Sequence, residues 1–247
     1  MQAKLAQLYN MCVRKEKYTK GSIVHVLNRG AKKMPIYRKD GDFWRLLSNF
    51  FYMNCKNTPR NLFRTLEEGG KSSKLIWLNE WGEKDPLVNI MAFTIMPNHF
   101  HLVLEELDED GRGIPKFMLK ISSGYSKYIN AKYDESGSLF EGTYKAVVVE
   151  KDSHFNQLAY YVMVKNTFEV YPGGFKKACK DFDKAYKWAS TEYPFTSLGD
   201  YAGERESPII TKSIFGRDFG DPKKFKKEAK RFVLDRLDRM ENELKLE

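Results

Sequence analysis

The chain has 247 residues, of which 42% are hydrophobic and 30% are charged, and its 42 Lys and Arg against 33 Asp and Glu give a net charge of +9. This composition excludes wholesale disorder, and no apolar run approaches the ~20 residues that a membrane-spanning helix requires. The amino terminus lacks the apolar stretch of a signal peptide, and Cys12, Cys55 and Cys179 are too widely spaced for a disulfide framework or a zinc site. We therefore expect a cytoplasmic protein with no membrane partner.

Alternating apolar and polar residues in the first half of the chain predict four strands, at residues 21–30, 74–78, 88–96 and 99–105. A helix is predicted over residues 42–53, where an Asp can cap the first turn and apolar residues recur at helical spacing.

The second half of the chain begins with a predicted helix over residues 114–133, which carries one apolar stripe. A strand over residues 138–150 and a helix from 153 to about 168 follow, and a basic amphipathic helix is predicted from 221 to 237. The element order predicts an α+β fold in which helices pack on an antiparallel sheet. Pro172-Gly173-Gly174 is a strong breaker, so we expect one domain over residues 1–172 and a helical, basic extension over 173–247.

The pattern most informative about chemistry is Pro97-Asn98-His99-Phe100-His101. Alternate side chains of a strand share a face, so His99 and His101 are expected to point the same way while Phe100 points the other way. Two such imidazoles form half of a divalent metal site, and the alternative is a pair of ordinary polar histidines. His25 and His154 are left open between a substrate contact and a structural role.

A second candidate lies in the helix that follows residue 153. Tyr161 has Gln157 one turn before it and Lys165 one turn after it, whereas Tyr160 faces Val164 and has the environment of a packing residue. A phenol is a poor nucleophile unless a cation stabilises its anion, and Lys165 or a nearby metal would meet that need. The alternative is that both tyrosines are core or base-stacking residues.

Several segments together resemble a known family. The histidine pattern resembles the HUH motif of the single-tyrosine, IS200-like transposases, and in particular of the REP-associated tyrosine transposases. Other stretches resemble the same family in the same order, over about residues 21–203: Val24-His-Val-Leu-Asn-Arg-Gly30, Tyr125-Ser-Lys-Tyr-Ile-Asn130, Gly137-Ser-Leu-Phe-Glu-Gly-Thr-Tyr-Lys145 and Pro194-Phe-Thr-Ser-Leu-Gly-Asp-Tyr-Ala-Gly203.

This resemblance implies a ferredoxin-like catalytic domain in residues 1–172 that cleaves single-stranded or hairpin DNA and transfers the strand through a 5′-phosphotyrosine. It gives His99 and His101 the role of ligands to Mg²⁺ or Mn²⁺, and it gives Tyr161 the role of nucleophile. Relatives carry an Asn one turn after the tyrosine, where this chain has Lys165, and here Asn166 comes one residue later. Asn166 can contribute to the site only if the helix is distorted, so Gln157, Lys165 and Asn166 are all candidates for metal or phosphate contacts.

The positive charge suggests which residues bind DNA. The candidates are basic residues that follow the first strand and that line the last helix: Arg29, Lys32, Lys33, Arg38, Lys39, Lys223, Lys224, Lys227 and Arg231. Two other functions stay open, a non-cleaving nucleic-acid-binding protein and a metal phosphohydrolase that uses activated water. A homodimer and a monomer are both compatible with the sequence.

Overall fold

The computed structural model describes residues 17–68, 75–149, 153–212, 215 and 219–243. Its centre is a four-stranded antiparallel sheet with the spatial order β2-β3-β1-β4, formed by β1 (Ile23–Arg29), β2 (Val88–Met96), β3 (His99–Glu106) and β4 (Lys145–Val149). Two helices lie between β1 and β2 and one helix lies between β3 and β4, which gives this order the ferredoxin-like topology. The predicted α+β fold with an antiparallel sheet is confirmed.

Two long helices pack on one face of the sheet, and α2 (Leu62–Glu68) lies near them. These are α1 (Asp40–Tyr52) and α3 (Gly113–Tyr133). Each presents an apolar stripe to strand residues such as Val26 and Phe100, and both stripes are almost fully buried. This face is an ordinary apolar core, of the kind that the 3.6-residue periodicity of the two helices predicts.

The opposite face is covered by the second part of the chain. There α4 (Ser153–Tyr160) continues into a π-helix (Tyr161–Lys165) and then α5 (Asn166–Glu169). Around these pack α6 (Gly174–Lys180), α7 (Phe182–Thr191), α8 (Leu198–Tyr201) and α9 (Pro222–Glu243). No helix in the described ranges is long and apolar enough to cross a membrane.

A single carboxylate joins α1 to α3. Asp42 is fully buried and accepts hydrogen bonds from the backbone N–H groups of Arg38 and Lys39 at the start of α1. From α3 it accepts three more, from the hydroxyls of Tyr128 and Tyr133 and from Lys132 Nζ at 2.6 Å. Because donors converge on both of its oxygens, the ionised carboxylate is favoured and Asp42 connects the two helices as a charged cap.

A non-helical segment extends the sheet beyond β2. Ile95 donates its N–H to the carbonyl of Phe195, and Ser197 donates its N–H to the carbonyl of Phe93. Thr94 and Thr196 form an antiparallel bridge between these bonds. The edge of β2 is therefore paired by chain that comes from the C-terminal part of the protein.

Two strand predictions need correction. The strand over residues 74–78 is wrong, because residues 75–78 are irregular and the Tyr52 hydroxyl bonds both the N–H and the carbonyl of Ile76 in place of a strand partner; residue 74 lies outside the described ranges. The strand over residues 138–150 is too long, because Gly142 has φ +151° and regular pairing starts only at Lys145.

Candidate functional site

The two histidines of β3 lie on the face that α4 and the π-helix cover. In the sheet register His101 is opposite Leu27 and His99 is opposite Arg29, so both share a face with His25. The ring centroids of His99 and His101 are 5.0 Å apart, and those of His25 and His101 are 5.1 Å apart. Strand alternation thus gathers three imidazoles in one cluster.

Hydrogen bonds orient these imidazoles. Asn98 donates its amide N–H to the carbonyl of Lys33, so its Oδ1 accepts the 2.6 Å bond from His99 Nδ1 and leaves the lone pair of His99 on Nε2. His101 Nδ1 and His25 Nε2 are 2.9 Å apart and share one buried hydrogen bond. When His101 is the donor, its Nε2 also carries the lone pair that a metal requires.

All three imidazoles are neutral at physiological pH. Burial lowers the pKa of His25 to about 3. Burial, together with the nearby Arg29 and Lys165, lowers the pKa of His99 to about 4, and burial with the neighbouring histidines holds the pKa of His101 well below its usual value. A neutral imidazole is the form that binds metal ions, so the electrostatics favour ligation.

Tyr161 lies directly against this cluster. Its ring is perpendicular to that of His101 at a centroid distance of 5.7 Å, and it meets the ring of His25 at 6.1 Å. Tyr160, the preceding residue, is buried among Phe219, Phe225 and other aromatic residues of the C-terminal core. The environments of Tyr160 and Tyr161 therefore differ, as their flanking residues predict.

The helix is distorted where the one-residue shift of Asn166 requires it. The N–H of Asn166 bonds the carbonyl of Tyr161, five residues back, and residues 161–165 form a π-helix. A π-helix accommodates one extra residue per turn, and such segments occur frequently at functional sites. The distortion gives Asn166 the position on the helix that a regular helix would give Lys165.

Buried hydroxyls stabilise the π-helix. Thr94 of β2 donates to the carbonyl of Val162 at 2.6 Å, and Thr167 donates to the carbonyl of Met163 at 2.7 Å. The Oγ1 atom of Thr196 lies 3.0 Å from that of Thr167 and 3.1 Å from that of Thr94. Side-chain hydroxyls from the sheet and from α5 thus donate to carbonyls within the π-helix.

Cations surround the Tyr161 ring. Lys165 Nζ is 5.1 Å from the ring centroid, and the guanidinium carbon of Arg236, from α9, is 5.6 Å from it. Lys165 also forms a 2.6 Å ion pair with Glu169. Burial and Glu169 raise the pKa of Tyr161, while Arg236 and Arg29 act in the opposite direction. The phenol is neutral in this arrangement, so ionisation depends on further positive charge.

The candidate metal ligands are two neutral imidazoles and one buried amide. Asn166 is almost fully buried, and both polar atoms of its amide lack a hydrogen-bond partner. No group of three His, Cys, Asp or Glu side chains within the described part of the chain is arranged to hold a metal. His25 does not complete such a trio because its Nε2 faces His101. An amide oxygen or water is therefore needed beside His99 and His101.

The other predicted residues are placed as follows. Gln157 is exposed on α4, and Lys165 is mostly buried between Tyr161 and Glu169. Arg29 lies at the site rather than on a remote surface, since it is opposite His99. The side chain of His154 lies outside the described part.

The remaining basic residues form two exposed groups. One follows β1, where Lys33 contacts Asn98 through its carbonyl and Arg38 pairs with Glu135; its members are Lys32, Lys33, Arg38 and Lys39. The other lies on α9 and comprises Lys223, Lys224, Lys227 and Arg231.

Sequence reasoning missed Arg236 and left His25 undecided. No local pattern connects Arg236 to Tyr161, because the contact depends on how α9 packs. For His25 the sequence did contain a signal, because His25 lies in β1 and alternate residues of a strand share a face, as His99 and His101 do in β3.

Comparison with known proteins gives one family match within the chain. Residues 77–165 match the family model described as "Transposase IS200 like", which confirms the resemblance that the motifs indicated. The matched segment includes His99, His101 and Tyr161, whereas His25 and Arg236 lie outside it. Family resemblance over this segment supports a DNA-processing function of the transposase type.

Among solved structures, a REP-associated tyrosine transposase bound to a REP hairpin is similar over 81% of this chain and 89% of its own, at 10% identity and a TM-score of 0.41. No curated protein matches the chain.

Proposed function

We propose that the protein is a metal-dependent endonuclease and strand transferase that acts on single-stranded or hairpin DNA through a covalent bond to Tyr161. The observation that carries the proposal is the contact between the Tyr161 ring and the imidazole of His101, at a centroid distance of 5.7 Å. The family match over residues 77–165 supports it independently, because it covers both HUH histidines and the tyrosine.

In the proposed reaction Tyr161 Oη attacks the scissile phosphorus. The Oη–P bond forms as the P–O3′ bond breaks, the phenolic proton passes to solvent, and the departing 3′ oxygen takes a proton from solvent. One phosphodiester replaces another, so a 3′-hydroxyl can later reseal the strand without ATP. A bound Mg²⁺ or Mn²⁺ would supply Lewis-acid polarisation of the phosphate.

His99, His101 and Asn166 are the residues that we propose to hold this metal. The histidines are neutral and oriented, and the unpartnered amide of Asn166 offers an oxygen in the buried helix. Gln157 is a weaker candidate because it is exposed. His25 is proposed as a positioning residue, since its hydrogen bond fixes the ring of His101.

We propose that the two basic groups bind the DNA backbone. The group after β1 lies beside the histidines, because Asn98 bonds both His99 and the carbonyl of Lys33. The group on α9 belongs to the same helix as Arg236, which reaches Tyr161. Arg29 is better assigned to the site itself. Phosphate contacts of this kind position a nucleic acid without reading its sequence.

We also propose that one chain suffices for cleavage. His101 and Tyr161 of the same chain are in contact, so a homodimer is not needed to complete the site. Residues 1–172 are proposed as the catalytic domain. Residues 173–247 are proposed as an extension, and its described residues contact β2 and the π-helix.

The test is to trap the covalent product. The full chain is incubated with a library of single-stranded hairpins and Mg²⁺ or Mn²⁺, and denaturing electrophoresis detects protein–DNA adducts. We expect an adduct whose phosphopeptide carries the modification on Tyr161. Tyr161→Phe should abolish it and keep the fold, since only a hydroxyl is lost.

Tyr160→Phe is the matched control, because Tyr160 packs in the apolar core, and it should still form the adduct. Modification of Tyr160, Tyr125 or Tyr128 would refute the assignment. Cleavage without any adduct would favour a hydrolase that uses activated water, and binding without cleavage would favour a non-cleaving DNA-binding protein.

A further inference from the structure

The last helix of the described chain packs beside Tyr161, the proposed nucleophile. α9 packs against α6, α4 and the π-helix, and it is anchored by Phe225, Val233 and other buried apolar residues. Arg236 is not part of this apolar stripe, and its guanidinium carbon lies 5.6 Å from the centre of the Tyr161 ring. The C-terminal extension thus delivers a cation to a site built otherwise by the sheet and the π-helix.

We infer that Arg236 is a phosphate-binding residue of the tyrosine site, whose guanidinium binds the non-bridging oxygens of the phosphate that Tyr161 attacks. This inference rests on the proposed function and extends it to a residue outside the segment that the family model matches. It assigns the extension a part in the chemistry as well as in packing.

Arg236 differs from the neighbouring lysines because it has no partner among the described residues. Lys165 is paired with Glu169 at 2.6 Å. On α9 itself, Lys226 and Lys230 are both paired with Asp183. Within the described part of the chain Arg236 makes no hydrogen bond or ion pair, and its Nε is buried without an acceptor. A buried guanidinium N–H without an acceptor is costly, and an anion bound beside the tyrosine would remove that cost.

The chemistry of the proposed reaction suits an arginine here. A planar guanidinium can donate two parallel hydrogen bonds to two oxygens of one phosphate. The substrate and the phosphotyrosine are both diesters with one negative charge, so the same pairing holds through attack and resealing. In the phosphotyrosine the phosphorus is bonded to Oη of the ring that Arg236 covers, which places its oxygens within reach of the guanidinium.

The alternative is that Arg236 serves only to pack α9 against Tyr161 through a cation–π contact. Two measurements on the full chain separate these roles. The first follows the Nε–Hε NMR signal of Arg236 while inorganic phosphate is added. The second is the single-turnover rate of adduct formation at saturating single-stranded DNA.

We expect phosphate to shift the Arg236 signal, and Arg236→Gln to slow adduct formation about 100-fold. Arg236→Lys should recover part of the rate, because it restores the charge without the planar fork. The matched control is Arg239→Gln, on the same helix, whose exposed side chain bonds only the carbonyl of Asp235 and which should keep the wild-type rate.

The outcomes also distinguish the two proposals. If the wild-type chain forms adducts and folded Arg236→Gln forms them equally fast, the role of Arg236 is overturned while the proposed function stands. If the wild-type chain forms no adduct but phosphate still shifts the Arg236 signal, the proposed function fails and the phosphate site remains. An unshifted signal together with an unchanged rate would reduce Arg236 to a packing residue.

Discussion

Phe100 and His101 are adjacent on β3 and almost equally buried, yet they belong to faces of the sheet with opposite chemistry. On the side of Phe100, α1 and α3 enclose an apolar core in which aromatic rings pack edge to face. On the side of His101, two imidazoles and three threonines are buried, and His99 and Tyr161 lie partly buried beside them. One strand pattern can therefore specify an apolar core on one face and a candidate site on the other.

The largest expected effect comes from substituting the histidines of β3 and Phe100 in separate variants. His99→Ala combined with His101→Ala should abolish adduct formation but leave most of the DNA affinity, because backbone phosphates are bound elsewhere. Phe100→Ala should instead lower the free energy of unfolding by about 3–5 kcal/mol, with normal adduct formation by the molecules that remain folded.

Denaturant titration and single-turnover assays on both variants check this contrast. Cleavage by the histidine double variant, or by wild-type protein treated with EDTA, would contradict the proposed role of the histidines. Loss of activity in folded Phe100→Ala would contradict a purely structural role for Phe100.

A second effect concerns the apolar face alone. Asp42 is buried, which disfavours its charge, but hydrogen bonds from Lys132, Tyr133 and backbone N–H groups hold its pKa far below the usual range. A depressed pKa in the folded state means that the contribution to stability is present above the pKa of the unfolded state, near 4, and is lost as the pH falls. Asp42→Asn should therefore cost about 3 kcal/mol at neutral pH, and less in acid.

Urea titrations of wild-type and variant protein between about pH 7 and pH 3 measure this difference. If the difference in unfolding free energy between the two proteins stays constant across this pH range, the charge of Asp42 is not what connects α1 and α3. The adduct yield of the folded variant should be unchanged, because the carboxylate lies on the other side of the sheet.

The smallest effect tests how the π-helix is held. Thr94→Val keeps the shape of the side chain but removes the hydroxyl that donates to Val162, so it should cost about 1–2 kcal/mol and slow adduct formation by shifting Tyr161. Thr191→Val is the control, since its exposed hydroxyl also donates to a helix carbonyl and should change stability by less than about 0.5 kcal/mol. Equal losses of stability in the two variants would contradict the role of Thr94.

The sequence predicts most of the sheet and the shared face of His99 and His101, because both depend on local alternation. It also predicts that Asn166 can act only in a distorted helix. It does not predict the π-helix itself, since the hydroxyls that stabilise it come from β2 and from the segment around Thr196. The sequence does not predict the contact between Arg236 and Tyr161 either, because that contact results from tertiary packing.

The segment that pairs with β2 has a consequence for self-association. An unpaired strand edge can template the addition of another chain, and indefinite polymerisation through a sheet needs two such edges. Residues 193–197 occupy one edge, and in the described part of the chain β4 pairs on one side only. Edge pairing between copies of the chain would therefore involve β4 rather than β2, and a two-fold contact along β4 would be a closed one.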